Sequence, residues 1–179
     1  MISPTKQKIL LLLLAGVAFG FAYTLGRQRK ILKELGREWQ KIDEKKIKDE
    51  IRQLYQSRMI QRKENSDGSE TLLLTKKGKL KALTFHFEHL KIKKENWDGK
   101  WRLVIFDIPE KIRAGRNALR RKLRDLGFYE LQKSALIFPY ACEKELKFII
   151  EFFGMRRFVR VCIVQSIDNE PHLKRVFGL

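Results

Sequence analysis

The chain has 179 residues, 44% of them hydrophobic, with four prolines, a composition that excludes a disordered or collagen-like chain and allows one large domain or two small ones. Thirty-nine Lys and Arg against twenty-one Asp and Glu leave a formal charge of +18, a field that draws polyanions whatever the fold. Nucleic acid is the first candidate partner, with ribosomal RNA or an anionic membrane surface as the others; Cys142 and Cys162 lack CxxC spacing and nearby histidines, so neither a disulfide framework nor a zinc site is indicated, and a reduced cytoplasmic setting fits.

In chain order, the first feature is Ile9 to Gly26, an uncharged run of 18 flanked by Lys6 and Lys8 before it and by Arg27, Arg29 and Lys30 after it. A membrane span needs about 20 apolar residues, and basic residues on both sides leave the positive-inside rule without an orientation. A signal peptide or membrane anchor therefore competes with a core helix. The core helix is preferred, starting after Pro4 with Thr5 as N-cap and running from Lys6 to Tyr23, because the next segments need a partner to bury their apolar faces. No membrane association is expected.

Ile31, Leu32 and Leu35 fall at helical spacing between Arg27 and Gly36, and Gly36 is a helix stop. A connector with Trp39 and Ile42 follows. Asp43 is then an N-cap, with Ile42 and Ile47 at the two positions of a hydrophobic staple. The helix from Glu44 to near Arg58 should bury Ile47, Ile51, Leu54 and Tyr55 and turn Lys45, Lys46, Lys48, Asp49 and Arg52 outward. Met59–Glu64 and Glu70–Leu74 flank a Gly-containing loop and read as a β-hairpin. Thr75 caps a further helix with Leu80, Leu83, Phe87 and Leu90 on its apolar side. Helix, helix, helix, hairpin, helix is the order of a winged helix-turn-helix, assigned to residues 1–90.

Residues 91–99 are polar and basic, break both periods and read as a linker before a second domain over residues 100–179. Trp101–Ile108 is a strand ended by Pro109; Lys111–Leu126 is a helix with Ile112, Leu119, Leu123 and Leu126 on one face and Gly127 as its stop. Phe128–Leu131 and Ala135–Tyr140 read as strands, Glu143–Phe153 as a helix and Phe158–Ile167 as a fourth strand. The order βαββαβ is the ferredoxin-like split unit. The expected fold class is α+β, an N-terminal winged helix-turn-helix followed by a ferredoxin-like domain, with Trp97 and Trp101 packing at the junction.

The stretch WDGKWRLVIFDIPEKIRAGRNALRRKLRDLGFYELQKSALIFPY, residues 97–140, resembles the middle domain of PaaX-type transcriptional repressors, which place a winged helix-turn-helix before it. That domain is itself similar to the CRISPR-associated ferredoxin-like endonuclease, the small partner of the spacer integrase, whose first strand ends in an aspartate and whose third strand starts at Gln-x-Ser. The corresponding residues are Asp107, Gln132 and Ser134. The resemblance implies a DNA-binding regulator, a repressor, acting as a homodimer on double-stranded DNA; a metal-dependent endonuclease or spacer-adaptation subunit is the alternative. PaaX-type repressors carry a further C-terminal domain, and this chain ends shortly after the fourth strand, so an effector role of that domain is not implied.

A recognition helix needs outward basic or polar groups near its N-terminal half, which Lys45, Lys48 and Arg52 supply one turn apart, with Lys46 as a flanking phosphate contact and Arg62 and Lys63 on the wing. Lysine to phosphate carries no sequence information, so no target site follows. Arg113, Arg116, Arg120 and Arg124 recur at three and four opposite the apolar face of their helix. They either track a phosphate backbone or form a solvated face with pairs such as Glu110–Arg113 and Arg121–Asp125. Asp107 is the one candidate for catalysis: in the resembling endonucleases it meets its symmetry mate and holds a divalent ion such as Mg²⁺, whereas in the repressors it caps a loop. No cofactor is otherwise expected, and the sequence names no effector ligand, for or against.

Overall fold

A computed structural model describes residues 2–15, 20–21, 44–66, 68 and 70–179. The chain divides into two compact units, Met1–His89 and Leu90–Leu179.

In the first unit α1 spans Pro4–Leu14, with Ser3 rather than Thr5 as N-cap: the Ser3 hydroxyl accepts the Lys6 amide at 3.2 Å, and Pro4 takes the first helical position. The helix is shorter than the uncharged run. It ends at Leu14 with Ala15 as C-cap, and Gly20–Phe21 is a two-residue strand, β1. The expected helix from Lys6 to Tyr23 is therefore corrected to helix plus strand, and among the described residues no helix is long and apolar enough to cross a membrane. The expected helix at Arg27–Gly36, the Trp39 connector and the Asp43 cap with its staple partner Ile42 lie outside the described residues.

Next come α2 (Glu44–Gln56), β2 (Ile60–Glu64), β3 (Glu70–Leu74) and α3 (Lys76–Glu88). Ile47, Ile51 and Leu54 repeat at four and three, so one stripe of α2 is buried against Ile9 and Leu10 of α1. Arg58 closes α2 at φ 55°, a left-handed position where glycine is usual, and the Met59 amide reaches back to Leu54 O at 2.9 Å. The hairpin pairs Ile60 with Leu74 through to Glu64 with Glu70, and β1 adds antiparallel to the outer side of β3, giving the order β1-β3-β2.

Thr75 caps α3, its hydroxyl accepting the Gly78 amide at 3.1 Å. The buried face of α3 is Gly78, Ala82 and Phe85, not the expected leucine row, and Leu80 is 66% exposed. Small residues win because the helix sits hard on the chain below it: a Cβ at position 78 would lie 1.8 Å from Met59 O.

The second unit contains β4 (Trp101–Phe106), a 3₁₀ turn at Glu110–Ile112, α4 (Arg113–Asp125), β5 (Tyr129–Gln132), β6 (Ala135–Phe138), α5 (Glu143–Phe152), β7 (Val159–Val164) and α6 (Glu170–Phe177). All neighbouring strands are antiparallel in the order β5-β6-β4-β7, the ferredoxin-like arrangement in which each helix returns the chain past a central strand. Gly127, at φ +97°, ends α4 as expected. Val104 and Phe106 alternate with Trp101 and Leu103 along β4 and so face the opposite side of the sheet.

The helix α6 was not read from the sequence. Its Leu173 is fully buried with Trp101 and Ile137, and Phe177 packs 5.9 Å from the Trp101 ring. Trp97 and Trp101 pack with centroids 5.2 Å apart and ring planes tilted by 53°.

Arg102 is a buried cation at the start of β4, its side chain 4% exposed. It bonds Asp98, Glu143 Oε1 at 2.9 Å, and the carbonyls of Lys100 and Pro139 at 3.0 and 3.1 Å. The end of the expected linker, Trp97 to Gly99, is thereby fastened to the start of β4.

Candidate nucleic-acid interface

Helix α2 presents Lys45, Lys46, Lys48 and Arg52 to solvent because its buried stripe occupies the other side. Lys45, Lys48 and Arg52 share one face at spacings of three and four; Arg52 lies 4.0 Å from Asp49, a loose exposed pair that leaves its charge available. The scaffold behind this face is tied by a polar contact that sequence reading missed. Glu50 is almost fully buried on α2, accepts Ser3 Oγ at 2.6 Å and pairs with Lys6 Nζ at 3.2 Å. Burial acts to raise its carboxyl, but the bonds from Ser3 and Lys6 outweigh that and hold it below the usual range.

The wing residues are placed differently from one another. Lys63 is exposed on β2, whereas Arg62 pairs with Glu70 at 3.4 Å and lies over the Tyr55 ring at 5.2 Å. Tyr55, expected in the core, is 48% exposed and serves this surface stack instead. Its position one residue past Leu54 turns it off the buried stripe.

On α4 the four arginines form a row with a carboxylate at each end. Arg113 and Arg116 pair with Glu110 at 3.5 and 3.0 Å, and Arg120 and Arg124 reach Glu130 at 3.9 and 3.8 Å. Arg120 also donates to Lys133 O at 3.2 Å. Two carboxylates shared among four guanidiniums leave the row net positive, a surface that suits phosphate. Sequence reading found Glu110 but not Glu130, which β5 brings in from outside the helix.

Asp107 follows β4, exposed, its amide donating to Phe158 O at 3.0 Å. Its carboxylate bonds no other described residue, and neither the 3₁₀ turn nor α4 beyond it has a side-chain cap, so a loop-capping role has no support. Phe106 N donates to Ser134 O at 3.0 Å, which brings the Gln132–Ser134 turn to the same end of the sheet as Asp107. Among the described residues no three His, Cys, Asp or Glu side chains gather as a metal site. One carboxylate per chain is a poor fit for a divalent ion unless a second copy contributes another.

Fold and surface define a two-unit α+β protein with an exposed basic helix on each unit and a ferredoxin-like second unit. Residues 94–176 match the family described as the PaaX protein central Cas2-like domain, a match that supports a PaaX-type assignment for this part of the chain. No curated protein matches the chain.

Proposed function

We propose that the chain is a DNA-binding transcriptional regulator, a repressor acting as a cytoplasmic homodimer on double-stranded DNA. In this reading residues 1–90 form a winged helix-turn-helix, residues 91–99 a linker, and residues 100–179 the pairing domain. The observation that carries it is the exposed Lys45, Lys48, Arg52 row on α2 directly ahead of the β2–β3 hairpin. The short strand β1 adds support, since it widens the hairpin into a three-stranded sheet against which a recognition helix is held. Selection of bound DNA sequences by the full chain tests the proposal: an enriched, pseudo-palindromic motif is expected. Uniform recovery of all sequences would reduce the protein to a general polyanion binder.

The carboxylate of Asp107, without a partner among the described residues, favours a second reading, a metal-dependent endonuclease or spacer-adaptation subunit. It requires DNA cleavage that depends on Mg²⁺ or Mn²⁺ and disappears in Asp107→Asn. Cleavage that persists in that variant counts against it.

A further inference from the structure

The two edges of the second sheet are unequal. On one side β5 has four residues and an irregular register between Glu130 and Gln132, features that discourage further pairing. On the other side β7 runs six residues in regular register with β4, without proline, and among the described residues no strand lies beyond it. Its single charge, Arg160, is folded back on the carbonyls of Arg156, Arg157 and Val159 at 3.4, 3.2 and 3.1 Å.

The hydrogen-bond parity shows what this edge offers. Asp107 N donates to Phe158 O, and Cys162 lies opposite Leu103, so the main-chain groups of residues 158, 160, 162 and 164 point toward β4. Those of Val159, Val161 and Ile163 point outward. Arg160 already occupies Val159 O, which leaves Val161 and Ile163 as the open pair. Their side chains are 38% and 57% exposed, line one face, and border a groove of about 530 Å³ against α5.

We propose that β7 is a self-pairing edge, two copies of the chain joining β7 to β7 antiparallel about a two-fold axis at Cys162. This deepens the homodimer reading and rests on it. The axis at Cys162 sets Val161 opposite Ile163 of the second copy and the reverse, so both open main-chain pairs close and both exposed apolar side chains are covered. An axis at Val161 would set Ile163 against Val159, whose carbonyl is taken. An axis at Ile163 would leave Val161 facing Gln165. Across the chosen axis Arg160 meets Val164, so no like charges oppose.

The register has its own reporter. Cys162 would face its mate in a non-hydrogen-bonded pair, Cα atoms about 4.5 Å apart, inside the range a disulfide spans. The other cysteine, Cys142, is a control: it is buried, and burial pushes its thiol up to about 12.

Mild oxidation of the full chain should give a disulfide dimer that Cys162→Ser removes and Cys142→Ser does not. Ile163→Lys and Val161→Lys, both at exposed sites, should convert a light-scattering dimer to monomer with an unchanged circular dichroism spectrum. A dimer that ignores both lysines and yields no Cys162 disulfide overturns edge pairing while leaving the homodimer reading intact. A monomer at tens of micromolar overturns both. Stoichiometric capture of an extended acidic peptide by a monomeric chain, lost in Ile163→Lys, assigns the edge to another partner and overturns the proposal.

Discussion

The guanidinium of Arg102 grips the carboxylate of Asp98 through two parallel hydrogen bonds, Nη1 to Oδ1 at 2.6 Å and Nη2 to Oδ2 at 2.7 Å. This fork-to-fork geometry, with Glu143 on Nε, fixes the turn before β4 to the first residues of α5. Arg102→Met leaves two carboxylates without their cation and should destabilise the second unit by about 2–3 kcal/mol. That lies below the roughly 3–5 kcal/mol of a fully buried pair because Asp98 and Glu143 are 44% and 46% exposed and can rehydrate. Urea unfolding followed by Trp97 and Trp101 fluorescence reads the change, and Arg102→Lys should recover only part of it.

The same contact makes stability acid-sensitive. The hydrogen bonds from Arg102 hold the Asp98 carboxyl at about 2 against an ordinary 3.8, with burial working the other way. A depressed carboxyl contributes stability above its unfolded value and loses it as pH falls toward its folded value. Melting temperature should therefore drop between pH of about 4 and about 2. Asp98→Asn should start lower at neutral pH and fall less steeply through that window; parallel curves would show that the carboxylate does not carry the effect.

Replacing Lys45, Lys48 and Arg52 together by alanine should leave folding untouched, since all three are exposed. Each cation that neutralises a phosphate adds about 0.9 to the slope of log affinity against log salt, so the triple variant should flatten that slope by about 2 to 3. An unchanged slope would move the interface elsewhere, the α4 arginine row being the next surface to test.

Gly78→Ala tests how α3 is seated. Alanine inside a helix normally gains about 1 kcal/mol over glycine. Here the added Cβ would meet Met59 O at 1.8 Å and its carbonyl carbon at 2.8 Å, and backbone cannot yield as a side-chain tip does. A net loss of about 1–3 kcal/mol is expected, read by thermal melting. A more stable variant would show that α3 does not approach the chain this closely.

The sequence pattern located elements well where periodicity was strong and local. The stripe Ile47, Ile51, Leu54, the hairpin around Gly68, the Thr75 cap and the ferredoxin-like order from Trp101 to Val164 all read from spacing and terminal residues. Misreadings arose where tertiary contacts decide. Leu80 looks like a core leucine, yet the close approach at Gly78 turns the small-residue face inward. The run from Ile9 reads as one helix because hydropathy cannot distinguish a helix from a helix followed by a strand.

The helix α6 did carry signals: Asn169 before it, Pro171 in its first turn, Leu173 and Phe177 four apart, and Gly178 at φ +68° after it. Only its burial against Trp101 gives it a reason to form, and that is a long-range fact. On the candidate surface, the exposed lysines of α2 were legible. The carboxylates that temper the α4 row were half-legible, since Glu130 arrives from another strand. Nothing local to Glu50 signals its tie to Ser3, which lies 47 residues away in sequence.

Because Arg102 fastens Trp97 to Lys100, the stretch with neither helix nor strand before it shrinks to Leu90 through Asn96. Fully extended, such a tether spans at most about 25 Å. Should the α4 arginine row bind phosphate as well as α2, engaging one surface would hold the other at an effective concentration on the order of millimolar. Two individually weak phosphate-binding surfaces then act with avidity. Lengthening this tether should weaken binding by the whole chain while every residue that touches DNA stays in place.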